Sequence, residues 1–166
     1  MRESVIAGAL SLAVIGFSLP AAAQERLVRF EGGIGVVPSR VGGVATTARG
    51  VPPGGQPWVI SRLSADVKAD GRISVDGRGL LLGGGDNIGR NGGQSVRARL
   101  FCNGTAPTFA DASVHQAPVD PVPLEANGDF RIEDTLAPAV PAVCNNAVLL
   151  ILSAGGNWFA AGIPKE

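Results

Sequence analysis

Between residues 58 and 82 apolar and polar side chains alternate with a period of two. Leu63, Ala65 and Val67 take one side, and Ser64, Asp66 and Lys68 the other. After Ala69-Asp70-Gly71 the alternation resumes, with Ile73 and Val75 opposed by Arg72, Ser74 and Asp76. Successive strand side chains point to opposite faces, so this pattern predicts two half-buried strands. Gly71 tolerates the positive φ of a tight turn, and residues 58–82 therefore read as one long β-hairpin. Gly77 and Gly79 interrupt its second arm, as at a bulge, before Leu80-Leu81-Leu82 enters the core.

Short β-rich runs punctuated by Gly and Pro make up most of the remainder. Residues 27–30 predict a first strand that 34–37 continue. Residues 38–57 predict a loop with a weak edge strand at 41–47. Val96, Ala98, Leu100 and Cys102 form another alternating face, opposed by Arg97, Arg99 and Phe101. Residues 83–93 predict a Gly/Asn loop, and 103–121 an irregular segment with a strand near 112–115. Residues 122–125 and 130–132 predict a second hairpin about Ala126-Asn127-Gly128. Residues 136–143 form a Pro-rich connection. The unbroken apolar run 147–152 suits a central strand, which Ala154-Gly155-Gly156 turns into 157–163 as a third hairpin. Seven to nine short strands at this spacing predict an all-β fold. An immunoglobulin-like antiparallel β-sandwich is the expected arrangement, with a small β-barrel as the alternative.

The first residues break the pattern. Arg2 and the amino terminus precede an apolar run from Val5 to Leu19, then Pro20, then Ala21-Ala22-Ala23. Charged, apolar and small segments in that order predict a secretory signal helix, residues 1–23, cleaved after Ala23. The run is about 15 residues, short of the roughly 20 that span a bilayer. Residues 24–166 then form a single β-sandwich domain with no membrane span, secreted or periplasmic. Cleavage removes one charge of each sign, Arg2 and Glu3, from a chain holding 14 basic and 14 acidic residues. The neutral balance gives no electrostatic case for nucleic acid or anionic lipid. Cys102 and Cys144 are the two cysteines, and in an oxidising compartment such a pair joins. The chain-entropy model values a disulfide closing a loop of this length at about 4 kcal/mol.

The catalytic inventory is thin. His115 is the one histidine, tyrosine is absent, and the one methionine is Met1. A Ser-His-Asp triad would need His115, which falls in a loop-like stretch with no Gly-x-Ser-x-Gly turn elsewhere. Zinc and copper sites need several His or Cys ligands that the chain lacks. Asp66, Asp70, Asp76, Asp86, Asp111, Asp120, Glu125, Asp129, Glu133 and Asp134 are the acids from which a paired-carboxylate hydrolase could be built. Asp70-Gly71-Arg72 recurs as Asp76-Gly77-Arg78. Two turn-favouring Asp-Gly pairs explain this better than a calcium site, because the Asp-x-Asp-x-Asp-Gly order is missing. Neither glycine cluster, 33–37 or 83–89, leads into a helix or a Lys-Ser/Thr pair, so no phosphate loop and no cofactor is expected. Asn103-Gly104-Thr105 matches a glycosylation sequon.

What remains is a non-catalytic exported module that binds or supports an envelope or extracellular protein or a glycan. The alternatives are a secreted hydrolase and a subunit of a cell-surface assembly. Loops carry binding on rigid β scaffolds, which nominates 83–93 and 103–118, and within them Asp86, Asn87, Arg90 and His115. Trp58 and Trp158 are core residues by their strand positions, with a sugar-stacking platform as the second role.

Overall fold

The computed structural model describes residues 25–118 and 120–165. The signal segment expected over 1–23 lies outside the described residues. Thirteen strands follow one another: β1 Arg26–Gly35, β2 Arg40–Val41, β3 Val44–Ala45, β4 Trp58–Val59, β5 Arg62–Lys68, β6 Arg72–Arg78, β7 Leu81–Leu82, β8 Ser95–Cys102, β9 Ser113–Gln116, β10 Val122–Pro123, β11 Phe130–Thr135, β12 Val148–Ser153 and β13 Trp158–Lys165. No helix occurs among the described residues, so none is long and apolar enough to cross a membrane.

Nine strands form one antiparallel sheet in the order β10-β8-β12-β13-β1-β5-β6-β11, with β9 also paired to β8. The sheet curls into a half-barrel. Its two edges approach where Gln116 on β9 bridges Ala137, just beyond β11. The described residues are therefore all-β, as expected for 24–166. The pairing order gives one curled sheet plus two small two-stranded sheets, and it does not establish the immunoglobulin-like sandwich.

The first hairpin forms as its alternation predicts. β5 and β6 pair Val67 with Ile73, Ala65 with Val75 and Leu63 with Gly77, and the five apolar members of those pairs are buried. Gly71 turns at φ +87°. β4 and β7 keep the same register, Trp58 opposite Leu82, but form a separate ribbon. The break has two causes. Gly79 sits at φ +63°, and the Leu80 N–H donates to the Gly128 carbonyl (2.9 Å) rather than across the hairpin.

The hairpin expected over 122–132 does not form as such. Its turn is present, with the Gly128 N–H donating to the Glu125 carbonyl (2.8 Å). The arms, however, join different neighbours: β10 pairs with β8 and β11 with β6. The turn carries the chain from one edge of the sheet to the other.

β12 explains its unbroken apolar run. Leu149 and Ile151 face the main core with Phe30, Leu63, Val75 and Leu100. Leu150 and Leu152 face outward, where Val51 and Phe101 bury them in a second, smaller cluster. The Gly/Pro-rich segment after β3 supplies this cover: the Trp158 N–H donates to the Pro52 carbonyl (3.0 Å) and the Gly54 N–H to the Trp158 carbonyl (2.9 Å). Cys102, ending β8, is bridged to Cys144 with Cα atoms 4.8 Å apart. Val148 opposite Phe101 sets that register, and Asn103 and Asn145 exchange hydrogen bonds beside the bridge.

Candidate functional site

An open concavity lies beside the β4–β7 ribbon. The Trp58 N–H donates to the Val36 carbonyl (2.8 Å), and the Val36 N–H to the Phe159 carbonyl (2.9 Å). These bonds bring two aromatic rings together, stacked with centroids 4.1 Å apart and planes 21° from parallel. Gly54 passes so close that a Cβ there would sit 2.9 Å from the Phe159 ring and 3.3 Å from Trp58 Nε1. The stack forms the floor.

Residues 83–94 form one wall. This glycine-rich segment is folded by its own hydrogen bonds. Across its neck the Leu82 N–H donates to the Arg90 carbonyl (2.9 Å) and the Gly89 N–H to the Leu82 carbonyl (2.8 Å). The Gly83 N–H donates to the Pro57 carbonyl (2.8 Å). Asn91 pins the far side, its Nδ2 donating to the Leu124 and Glu125 carbonyls (3.1 and 3.0 Å) while Oδ1 accepts from Gly93 N–H (3.0 Å). Residues 54–56 and the β12–β13 turn supply the other walls.

Two adjoining spaces result. One, about 370 Å³, is bordered by Gln56, Trp58, Leu82, Gln94, Ser153, Asn157 and Phe159, among others. The second, about 500 Å³, lies over Gly89, Arg90, Asn91, Gly93 and Ala126. Asn87 and Gly92 border both, and the two spaces together are called the cleft. Volumes of this order suit small-molecule sites. Gln94 Nε2 donates to the Gly92 carbonyl (3.2 Å), and Ser153 Oγ accepts from Asn157 N–H (3.1 Å). The side chains of Gln56, Asn87 and Asn157 are exposed and have no hydrogen-bond partner among the described residues. Arg90 is the one charged residue bordering either space.

Of the residues nominated from sequence, Asn87 and Arg90 border the cleft. Asp86 is exposed in the same loop but does not line it. His115 is elsewhere. It lies on β9 opposite Leu100, is 3% exposed, and so is neither a loop nor a surface residue. Its Nδ1 lies 2.8 Å from the Pro138 carbonyl and its Nε2 2.9 Å from Ser113 Oγ. A carbonyl only accepts, so Nδ1 carries a proton. The Ser113–His115 pair has the spacing of a nucleophile and base, yet the third group is a carbonyl rather than a carboxylate. The arrangement ties β9 to the Pro-rich connection.

Trp58 is buried under the cleft, whereas Trp158 is half-buried and packs against both the main core and the outer cluster. Asn103 holds its side chain against the chain: Nδ2 donates to the Val143 carbonyl (2.9 Å) and Oδ1 accepts from Asn145 N–H (2.9 Å). Gln56 and Asn157 escaped sequence reasoning. Each stands beside glycines in what reads as ordinary turn chemistry, and only the packing of three separate segments makes them neighbours.

The acids lie outside the cleft. On the outer sheet face Arg78 is gripped by Asp76 and by Asp129 (2.9 Å each), and Arg26 pairs with Asp66 (2.5 Å). The Arg78 guanidinium and the Gly79 N–H hold Asp129 below the ordinary carboxylate range. Arg131 and Ser74 do the same for Glu133, the Thr105 hydroxyl and N–H for Asp111, and the Arg72 N–H for Asp70. A general acid requires a shift in the opposite direction. Among the described residues no group of three His, Cys, Asp or Glu is placed to hold a metal ion. No family model, curated protein or solved structure matches the chain.

Proposed function

We propose that the chain is an exported, non-catalytic binding module whose ligand occupies the cleft between residues 83–94 and the Trp58–Phe159 stack. The observation that carries this is the state of the lining. Three exposed polar side chains border an open concavity without internal partners, while Asp70, Asp76, Asp111, Asp129, Glu133 and His115 are hydrogen-bonded elsewhere. Polar groups left open in a formed concavity fix the orientation of a bound ligand. The export half rests on the leader pattern and on the Cys102–Cys144 bridge, which suits an oxidising compartment. A curled sheet offers its connecting loops at its ends, where rigid β scaffolds present binding residues.

The test compares three forms of the oxidised mature chain: unaltered, with residues 84–92 replaced by a two-glycine link, and Asn87→Ala/Arg90→Ala. Each is immobilised and exposed to the same envelope and extracellular fractions. Loss of the captured component with both altered forms, at unchanged melting temperature, supports the cleft. Equal capture by all three removes the loop from the site.

A further inference from the structure

We infer that the cleft takes an uncharged, polyhydroxylated ligand, a run of sugar units in a glycan. This rests on the cleft being the binding site proposed above. Gln56, Asn87 and Asn157 come from three separate turns and border one space. Each carboxamide holds two N–H donors and one carbonyl acceptor in a fixed plane. Adjacent hydroxyls donate and accept at once, so they satisfy both halves of a carboxamide. A carboxylate or phosphate satisfies only the donors, and an ammonium only the acceptor.

Charge selects in the same direction. No residue bordering the smaller space is charged, and the larger adds only Arg90. An ionic ligand would shed water there with almost no counter-charge. The floor limits apolar ligands too. Trp58 and Phe159 stack on one another and are only 4% and 5% exposed, so the cleft meets little apolar ring surface. So small an aromatic surface offers a lipid chain little area to bury. Because Asn87 and Gly92 line both spaces, a chain of at least two rings would reach from one to the other past Asn87.

The test uses the oxidised mature chain on an array of neutral glycans: glucans, xylans, mannans and N-acetylhexosamine polymers. Inorganic phosphate, polyanions and a peptide library run alongside. The expected result is retention on at least one neutral glycan, with a disaccharide bound more tightly than its monosaccharide. Gln56→Ala/Asn87→Ala/Asn157→Ala should weaken that binding about tenfold or more, since each lost hydrogen bond removes a modest increment. Asn87→Ala alone keeps the test readable if the triple variant melts early, because the one protein bond at Asn87 runs through its backbone carbonyl. Retention of only a peptide or an anion, abolished by loss of residues 84–92, overturns the sugar and leaves the cleft. Glycan binding indifferent to both variants overturns the assignment of these amides. Binding of no probe overturns the sugar, and capture from fractions that survives loss of the loop overturns the cleft as well.

Discussion

Gly77 faces the ring of Phe130 so closely that a Cβ on the glycine would fall within 2.8 Å of three ring carbons. The two residues are cross-strand partners on β6 and β11, and Phe130 belongs to the main core. Gly71, in the first copy of the same Asp-Gly-Arg motif, is glycine for another reason: it sits at φ +87° with its nearest heavy atom 3.6 Å from a built Cβ. The repeat is thus one sequence serving two physical needs. In both copies the arginine Nε donates back to its own aspartate.

Gly77→Ala should cost about 1–3 kcal/mol or more, through displacement of a packed ring. Gly71→Ala should cost about 1–2 kcal/mol, through backbone strain alone. Urea midpoints of the two variants decide it. Equal losses would mean that Phe130 moves aside freely.

Reducing the Cys102–Cys144 bridge should lower stability by about 2–5 kcal/mol, given the 42-residue separation it spans. Thermal melts with and without reductant, repeated on Cys102→Ala/Cys144→Ala, measure it. A melting temperature indifferent to both would show that the Asn103–Asn145 hydrogen bonds hold this junction unaided.

Asp129 makes stability depend on acid. Its folded pKa lies below the ordinary value, with Arg78 the first cause and the Gly79 N–H the second. Near pH 4 the unfolded chain therefore binds more protons at this position than the folded chain does. The contribution is present above the unfolded pKa of about 3.9 and fades as pH falls through the folded value. Asp129→Asn should destabilise at pH 7 and make little difference at pH 2. Urea midpoints at both values test this, and a penalty that persists undiminished at pH 2 would assign the effect to packing.

Expression of the full chain in a secreting host should yield a product beginning at Gln24. Intact mass and amino-terminal sequencing read the cut directly. A product retaining Met1, or one found only in the cytosol, would undo the proposed export.

How much of this was legible in the sequence followed the range of the interactions. β5 and β6 were readable because alternation and the Asp-Gly turn are local, and so was β12, whose unbroken apolar run reports burial on both faces. The arms at 122–132 were readable as extended segments about a turn, but alternation names no partner. Only the curl of the sheet sends Val122 to Val96 and Phe130 to Gly77. His115 sits on a four-residue strand, too short to show a period, and its burial comes from β8 and the Pro138 segment. The loop holding Asn87 and Arg90 was visible in its glycines. Its anchoring by Asn91 and its facing of Gln56 and Asn157 are tertiary facts.

The meeting of the sheet's two margins has a consequence for solubility. Open strand margins template the addition of another chain. Here Gln116 and Ala137 exchange both backbone hydrogen bonds and so join the margins at one point. That single bridge closes only the end of the seam, because β11 pairs along its length with β6 alone, so a change that parted Gln116 from Ala137 would widen the open margin that a second chain could extend.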